Sequence, residues 1–188
     1  MWMDLEDQLR LFIAVDLKEQ DKQKIAAWRD KILPDTFRAV SPENFHITLS
    51  FLGNITQLQC DSIIDFIDQI IEPSKATLPL TLNLNCCDLF FKPKVLYLGL
   101  DWTPPWLYAL AKSLKSYVLS LDIFQEQRAY CPHVTIARKA TYVPEHSRFN
   151  PPILVSTFSL YLSESTPTGV KYTPIHTWPL TTFCEYER

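Results

Sequence analysis

The sequence predicts an α+β fold of two pseudo-symmetric lobes, each an antiparallel-type sheet with helices on its outer face, facing each other across a central cleft. Three observations predict it. Runs rich in β-forming residues alternate with helix-length segments that carry one apolar stripe. The strand–helix–strand unit from Arg10 to Gly53 is matched by a second from Val95 to Arg138, opening 85 residues later. Most sharply, the tetrapeptide His46-Ile47-Thr48-Leu49 recurs 87 residues later as His133-Val134-Thr135-Ile136. At 188 residues the chain is long enough for one well-buried domain and short for two. No linker-like segment divides the halves, so residues 1–188 read as a single bilobal domain.

Arg10–Leu17 (RLFIAVDL) is a strand. Glu19–Leu33 follows as a helix with Ile25, Trp28 and Ile32 on one side, ended by Pro34. His46–Leu52 is the second strand. Thr56 opens a helix, with Gln59 completing a capping box. Its stripe runs through Cys60, Ile63, Ile64, Ile67 and Ile71, and Pro73 stops it. Leu78–Asn85 alternates as LPLTLNLN, the pattern of a half-buried strand. Val95–Asp101 opens the second unit. Thr103 then supplies an N-cap and Pro104 a first-turn proline for a helix striped by Leu107, Leu110, Leu114 and Leu121. A strand at His133–Arg138, a Pro-rich connection over Tyr142–Pro152 and a strand at Val155–Leu162 follow. Lys171–Thr181 is a last strand or extended segment broken by Pro174 and Pro179.

Composition removes several classes of function. No apolar run approaches the ~20 residues that span a bilayer. The acidic start is unlike a secretory signal, so a cytoplasmic location is expected. Five cysteines without repeated spacing form neither a disulfide framework nor a zinc motif. With only three glycines, Gly53, Gly99 and Gly169, no Rossmann fingerprint, P-loop or nucleophile elbow can be built. The net charge of −3 supplies no overall field for a polyphosphate. A nucleic-acid ligand would have to be held locally, by a few basic groups in a cleft.

Successive side chains of a strand point to opposite faces. His46 and Thr48 therefore share one face and Ile47 and Leu49 the other; His133 and Thr135 are opposed in the same way to Val134 and Ile136. Brought together, the two strands would place two imidazoles and two hydroxyls around one small volume. That set suits phosphoryl chemistry. A neutral imidazole takes a proton from water, a protonated one donates to the leaving oxygen, and hydroxyls hold the remaining oxygens. The scheme needs no metal and no cofactor. One His-x-Thr is a weak motif, and a lone histidine is more often structural. Two copies at matching places in a repeated unit favour catalysis. His146 and His176 lack this context and read as surface or structural histidines.

The segments SPENFHITLSFLG (Ser41–Gly53) and RAYCPHVTIAR (Arg128–Arg138) resemble the paired signatures of the two-histidine (2H) phosphoesterases. RLFIAVDL and KYTPIHTWPL extend the resemblance over nearly the whole chain. Within that superfamily the sequence is most similar to the bacterial and archaeal RNA 2',3'-cyclic phosphodiesterases, also called 2'-5' RNA ligases. The resemblance implies that His46 protonates the departing 3' oxygen and His133 activates water, leaving a 2'-phosphate. It implies phosphate binding by Thr48 and Thr135, and packing of the terminal base on Phe51 and Arg138, each five residues beyond its histidine. Phe51 falls on the opposite parity from His46, so that role requires a twist or bulge. Arg128 matches a basic position that contacts phosphate, and reads equally well as a solvated surface arginine. Where the family often has His-Pro-His, this chain has Cys131-Pro132-His133, which retains the essential histidine and changes a neighbour.

The expected activity is hydrolysis of RNA-terminal 2',3'-cyclic phosphate by a monomer whose partners are RNA 3' ends or short oligonucleotides, with no membrane. Weaker reversible 2'-5' ligation is expected from the same cleft. Two alternatives stand beside it. One is a 2H enzyme for 2'-5' oligonucleotides, small cyclic nucleotide phosphates or ADP-ribose-type cyclic phosphates. The other is a non-catalytic RNA-end binding module, against which the retention of both His–Thr pairs argues.

Overall fold

The first strand, β1 (Leu9–Asp16), carries an unbroken buried run from Leu11 to Val15, so side chains on both of its faces are covered. The structure is a computed structural model and describes residues 8–71, 79–145, 147–167 and 169–180. Helix α1 (Glu19–Ile32) ends at Leu33, whose backbone is extended (φ −79°, ψ 122°) because Pro34 follows. A two-residue strand, β2 (Arg38–Ala39), and a 3-10 turn (Pro42–Asn44) lead into β3 (His46–Ile55). Helix α2 (Gln57–Ile70) begins with the expected capping box: the Gln59 amide donates to Thr56 Oγ1, and the Thr56 amide donates to Gln59 Oε1. The helix is capped by Ile71; the expected stop at Pro73 lies outside the described residues.

Beyond it come β4 (Leu80–Leu82), β5 (Cys86–Phe90) and β6 (Val95–Gly99), then α3 (Pro105–Ser120) and β7 (His133–Arg138). The chain closes with β8 (Ile153–Val155), β9 (Thr157–Thr166) and β10 (Gly169–Pro179). All described pairings are antiparallel. One four-stranded sheet has the order β10-β9-β1-β3 and a second the order β2-β7-β6-β5; β4 and β8 form a separate ribbon. This is a two-lobed α+β architecture, with each histidine strand beside the first strand of its own unit. One cluster of buried apolar residues draws on both sheets and all three helices.

Several expectations are corrected. Helix α3 starts one residue later than Thr103–Pro104 suggests. Pro105 takes the first helical position, and Pro104 is held extended (φ −57°, ψ 140°) by the proline after it, so Thr103 is not the cap. Leu121 caps that helix rather than continuing its stripe. Within the alternating Leu78–Asn85 run, whose first residue lies outside the described ones, Leu80–Leu82 form the three-residue β4, paired with the equally short β8. Ser156 divides the expected Val155–Leu162 strand between two sheets. Pro174 does not break β10. The strand is a sheet edge, where a missing N–H is tolerated, and the register slips by one residue between Pro174 and His176.

The helices are tied to the sheets and to each other by polar groups as well as apolar faces. Trp178 Nε1 on β10 donates to Asp68 Oδ1 on α2 at 2.6 Å, and His176 stacks on Trp178, a structural placement. Phe66 of α2 and Tyr117 of α3 stack at 3.9 Å, and α3 packs against β3 of the first sheet. His146 lies outside the described residues. Among those described, no helix is long and apolar enough to cross a membrane.

Candidate active site

The two histidine strands are built alike. Over six positions their burial is identical: half-buried, buried, half-buried, buried, buried, exposed. His46 stands opposite Asp16 at the end of β1, and His133 opposite Gly99 at the end of β6. Both strands then bulge at the same place. Leu49 is the extra residue between the pairs formed by Thr48 and Ser50, and Ile136 between those formed by Thr135 and Ala137. A bulge inserts one residue and so reverses the alternation beyond it. That is how Phe51 comes to the His46 side: both rings contact Phe12, at centroid distances of 4.8 Å for His46 and 6.1 Å for Phe51. A second extra residue, Leu52, precedes Gly53, whose φ of +71° suits glycine.

Each imidazole is anchored by the same contact. His46 Nδ1–H donates to the Asn44 carbonyl and His133 Nδ1–H to the Cys131 carbonyl, both at 2.7 Å and both two residues back. A carbonyl only accepts, so Nδ1 keeps its proton in either charge state and Nε2 is left to exchange one. The anchors are supplied locally: Asn44 ends the 3-10 turn begun by Pro42, and Cys131 precedes Pro132, which disfavours helical backbone there. Strands β3 and β7 adjoin, and the two imidazoles are close enough that charge on His133 depresses the pKa of His46.

Their surroundings differ. His46 sits among Phe12, Tyr172 at 5.3 Å and Tyr161 at 6.3 Å, with Tyr161 also stacked on Phe12. Below this group Asp16 accepts from Tyr161 Oη at 2.6 Å and Ser159 Oγ at 2.8 Å. Burial lowers the His46 pKa from 6.5 to about 4 against the opposing pull of the Asn44 carbonyl. His133 contacts Phe90 at 5.0 Å and Tyr97 at 5.2 Å; burial, and then the Arg128 charge, lower its pKa too.

A groove of about 930 Å³ opens beside His133 and Thr48 and follows β3. Phe51 and Arg128 also line it, whereas His46, Thr135 and Arg138 do not. Arg128 is exposed, ion-paired with Glu126 and placed over the Phe90 ring at 5.7 Å. Thr135 shares the His133 face of β7, and Arg138 ends that strand, exposed and opposite Arg38. Some of the scaffold is not evident from the motifs. Tyr130 Oη, kept protonated by burial, donates to the Thr48 carbonyl at 3.1 Å. Gln125 accepts from Ser50 Oγ at 3.0 Å and donates to the Phe51 carbonyl at 2.6 Å. Together they cover the free edge of β3, which would otherwise present unpaired carbonyls. Tyr130 stands inside the second motif, where its nearness to His133 was a signal; the lone Gln125 gave none.

Paired histidine strands on two antiparallel sheets define a class, the phosphoesterases. The family model for LigT like phosphoesterases matches residues 15–97. The RNA 2',3'-cyclic phosphodiesterase of Escherichia coli (strain K12) is 30% identical over 181 residues, covering 94% of this chain and 99% of the relative. That of Methanocaldococcus jannaschii is 27% identical, over 90% of this chain and 100% of its own. Among solved structures, E. coli LigT complexed with 3'-AMP superposes with a TM-score of 0.84 at 31% identity, over 93% of this chain and 99% of that one. The chain belongs to the LigT-like phosphoesterase family, together with the RNA 2',3'-cyclic phosphodiesterases.

Proposed function

We propose that this chain is an RNA 2',3'-cyclic phosphodiesterase that opens the terminal cyclic phosphate to a 2'-phosphate, with His46 and His133 as the acid–base pair. The observation that carries the proposal is the twin anchoring of the imidazoles, which leaves two exchangeable Nε2 atoms on adjoining strands, each with a threonine two residues on. His133 Nε2 takes a proton from water as its oxygen bonds to phosphorus. The P–O3' bond breaks, and O3' receives the proton carried by His46 Nε2. One water is consumed, and the products are a 2'-phosphomonoester and a 3'-hydroxyl. Thr48 and Thr135 hold the non-bridging oxygens, and Phe51, Arg138 and Arg128 take up the terminal base and phosphate. In the free protein the lowered pKa values keep both imidazoles neutral near pH 7. The bound phosphodiester anion favours the charged form, so His46 takes up its proton from solvent when substrate binds.

The named substrate of the E. coli and M. jannaschii relatives supports this reading, as do E. coli LigT structures complexed with 3'-AMP and with phosphate. Reversal of the same step gives weak 2'-5' ligation. Both motifs come from one chain, so a monomer of one bilobal domain, residues 1–188, suffices. A reducing, cytoplasmic setting suits the exposed thiol of Cys131. Turnover of RNA ending in a cyclic phosphate by His46→Ala and His133→Ala is the test. Each is expected to lose at least ~100-fold in kcat while remaining folded. Normal turnover by both would end the proposal.

A further inference from the structure

The catalytic step needs a cyclic phosphate, one ribose and one base, yet the groove beside it is much longer. At about 930 Å³ it lies at the upper end of the roughly 300–1,000 Å³ that serve one small ligand. It follows β3 from Thr48 to Ile55, about 20 Å at the usual rise per strand residue. Its far wall is α3 and the segment after it.

Two exposed rings stand in that outer stretch. Phe124 is 80% exposed and Tyr108 of α3 is 52% exposed, and both line the groove. Phe124 is not on a loose loop. Its carbonyl accepts from Gln125 Nε2 at 3.0 Å, and the same amide is bonded to the Phe51 carbonyl of β3. The backbone that carries the exposed ring is therefore tied to the strand that carries His46 and Thr48. Basic Lys112, Lys115 and Arg128 outnumber acidic Asp122 and Glu126 along the lining. Arg128 and Glu126 are ion-paired with each other, which leaves Lys112 and Lys115 against Asp122. Aromatic faces flanked by cations are the elements with which proteins bind single-stranded nucleic acid without reading its sequence. The protein as a whole is acidic, so this local arrangement is the kind of recognition its charge permits.

We infer that the groove along β3, with Phe124, Tyr108 and Lys112, is a track for the nucleotides preceding the cyclic-phosphate end of a single-stranded RNA. The inference rests on the RNA-end reading above and extends it from the terminal nucleotide to the strand behind it. A short oligonucleotide should thus be a better substrate than a nucleoside 2',3'-cyclic phosphate, whatever its bases.

The experiment compares kcat/KM for a nucleoside 2',3'-cyclic phosphate and for di-, tri- and tetranucleotides with the same end, using the wild type, Phe124→Ala, Tyr108→Ala and Lys112→Gln. The wild type should gain with each added nucleotide up to the third or so. Loss of one stacking ring should lower kcat/KM on the tetranucleotide by roughly 5- to 100-fold, mainly through KM, and leave the mononucleotide within about twofold. Lys112→Gln should flatten the salt dependence on the tetranucleotide alone. Equal kcat/KM for all lengths, with the mononucleotide turned over normally, would overturn the track and leave the catalytic reading standing. So would ring variants that slow mononucleotide and tetranucleotide alike. Failure of the wild type to turn over any of the four would overturn both.

Discussion

The His46 and His133 half-sites share a backbone and differ in what surrounds it. Strand, bulge, threonine and carbonyl anchor are repeated, but Asp16 faces His46 where Gly99 faces His133. The first imidazole is enclosed by Phe12, Tyr161 and Tyr172, with the Asp16 carboxylate spent on Tyr161 and Ser159. The second has room beside it. A Cβ at position 99 would meet the Tyr97 ring at 3.1 Å, so the ring that flanks His133 depends on glycine there. A repeated frame thus fixes where two Nε2 atoms point, and the differing side chains of the neighbouring strands set their charge. Symmetry supplies the pair, and asymmetry lets its members differ.

The largest effects should break the symmetry of roles. With sulfur replacing the bridging O3' of the cyclic phosphate, the leaving group needs little help from an acid. His46→Ala should then regain most of its ~100-fold loss on this substrate, and His133→Ala should not. Recovery of the His133 variant instead would exchange the roles. The threonines should behave as equals. On the proposed mechanism Thr48→Val and Thr135→Val would each remove one hydrogen bond to a charged oxygen, expected to lower kcat/KM by roughly 10- to 100-fold. A tenfold disparity between them in steady-state kinetics would show that the phosphate leans on one half-site.

The motif residues were legible because strand periodicity and repetition are both local in sequence. His46 with Thr48 and His133 with Thr135 needed no knowledge of tertiary structure to be placed on faces. Phe51 was the point where periodicity alone failed, and the bulge at Leu49 is what resolves it. Bulges leave no clear composition signal in a run such as HITLSF, whereas the matching burial in HVTIAR shows them to be part of the shared frame. The enclosure of His46 was not legible. Tyr161 and Tyr172 reach it only through the β1–β9 and β9–β10 pairings, which join residues more than a hundred apart to the motif. The short β2 and β8 were missed for a related reason, since two or three residues carry too little pattern to declare a strand, and β5 (CCDLF) was missed as well. Tandem prolines displaced the start of α3 because the second fixes the backbone of the first.

A smaller contrast separates the outer residues of the two strands. Phe51 is 59% exposed and lines the groove, and Arg138 lies outside it, opposite another arginine. Phe51→Ala should raise KM for a cyclic-phosphate-ended RNA by about tenfold, through lost stacking. Arg138→Ala should raise it by about threefold or less, without loss of stability, since like charges facing each other across strands do not help folding. Equal KM effects would mean that the base reaches from one half-site to the other.

The subtlest expectation is the pH dependence, where the two environments act together. Catalysis requires one proton on the pair, and kcat/KM reports the free protein. Burial lowers both imidazoles from 6.5, His46 to about 4, so both limbs of the bell should fall below 6.5. Between pH 7 and 8 kcat/KM should therefore decline by about tenfold, as the single proton is lost from the pair. A bound phosphodiester anion stabilises imidazolium, so the kcat profile should be displaced to higher pH than that of kcat/KM. Either profile looks the same whichever imidazole holds the proton, which is why the sulfur-bridged substrate is needed for the roles. Tyr172→Ala opens the enclosure on the edge strand, so the acid limb should move up toward 6.5 while the alkaline limb stays nearly in place. Flat kcat/KM up to pH 8 in the wild type would contradict a neutral resting pair. An unmoved acid limb in Tyr172→Ala would mean that the aromatic wall does not set the charge of His46.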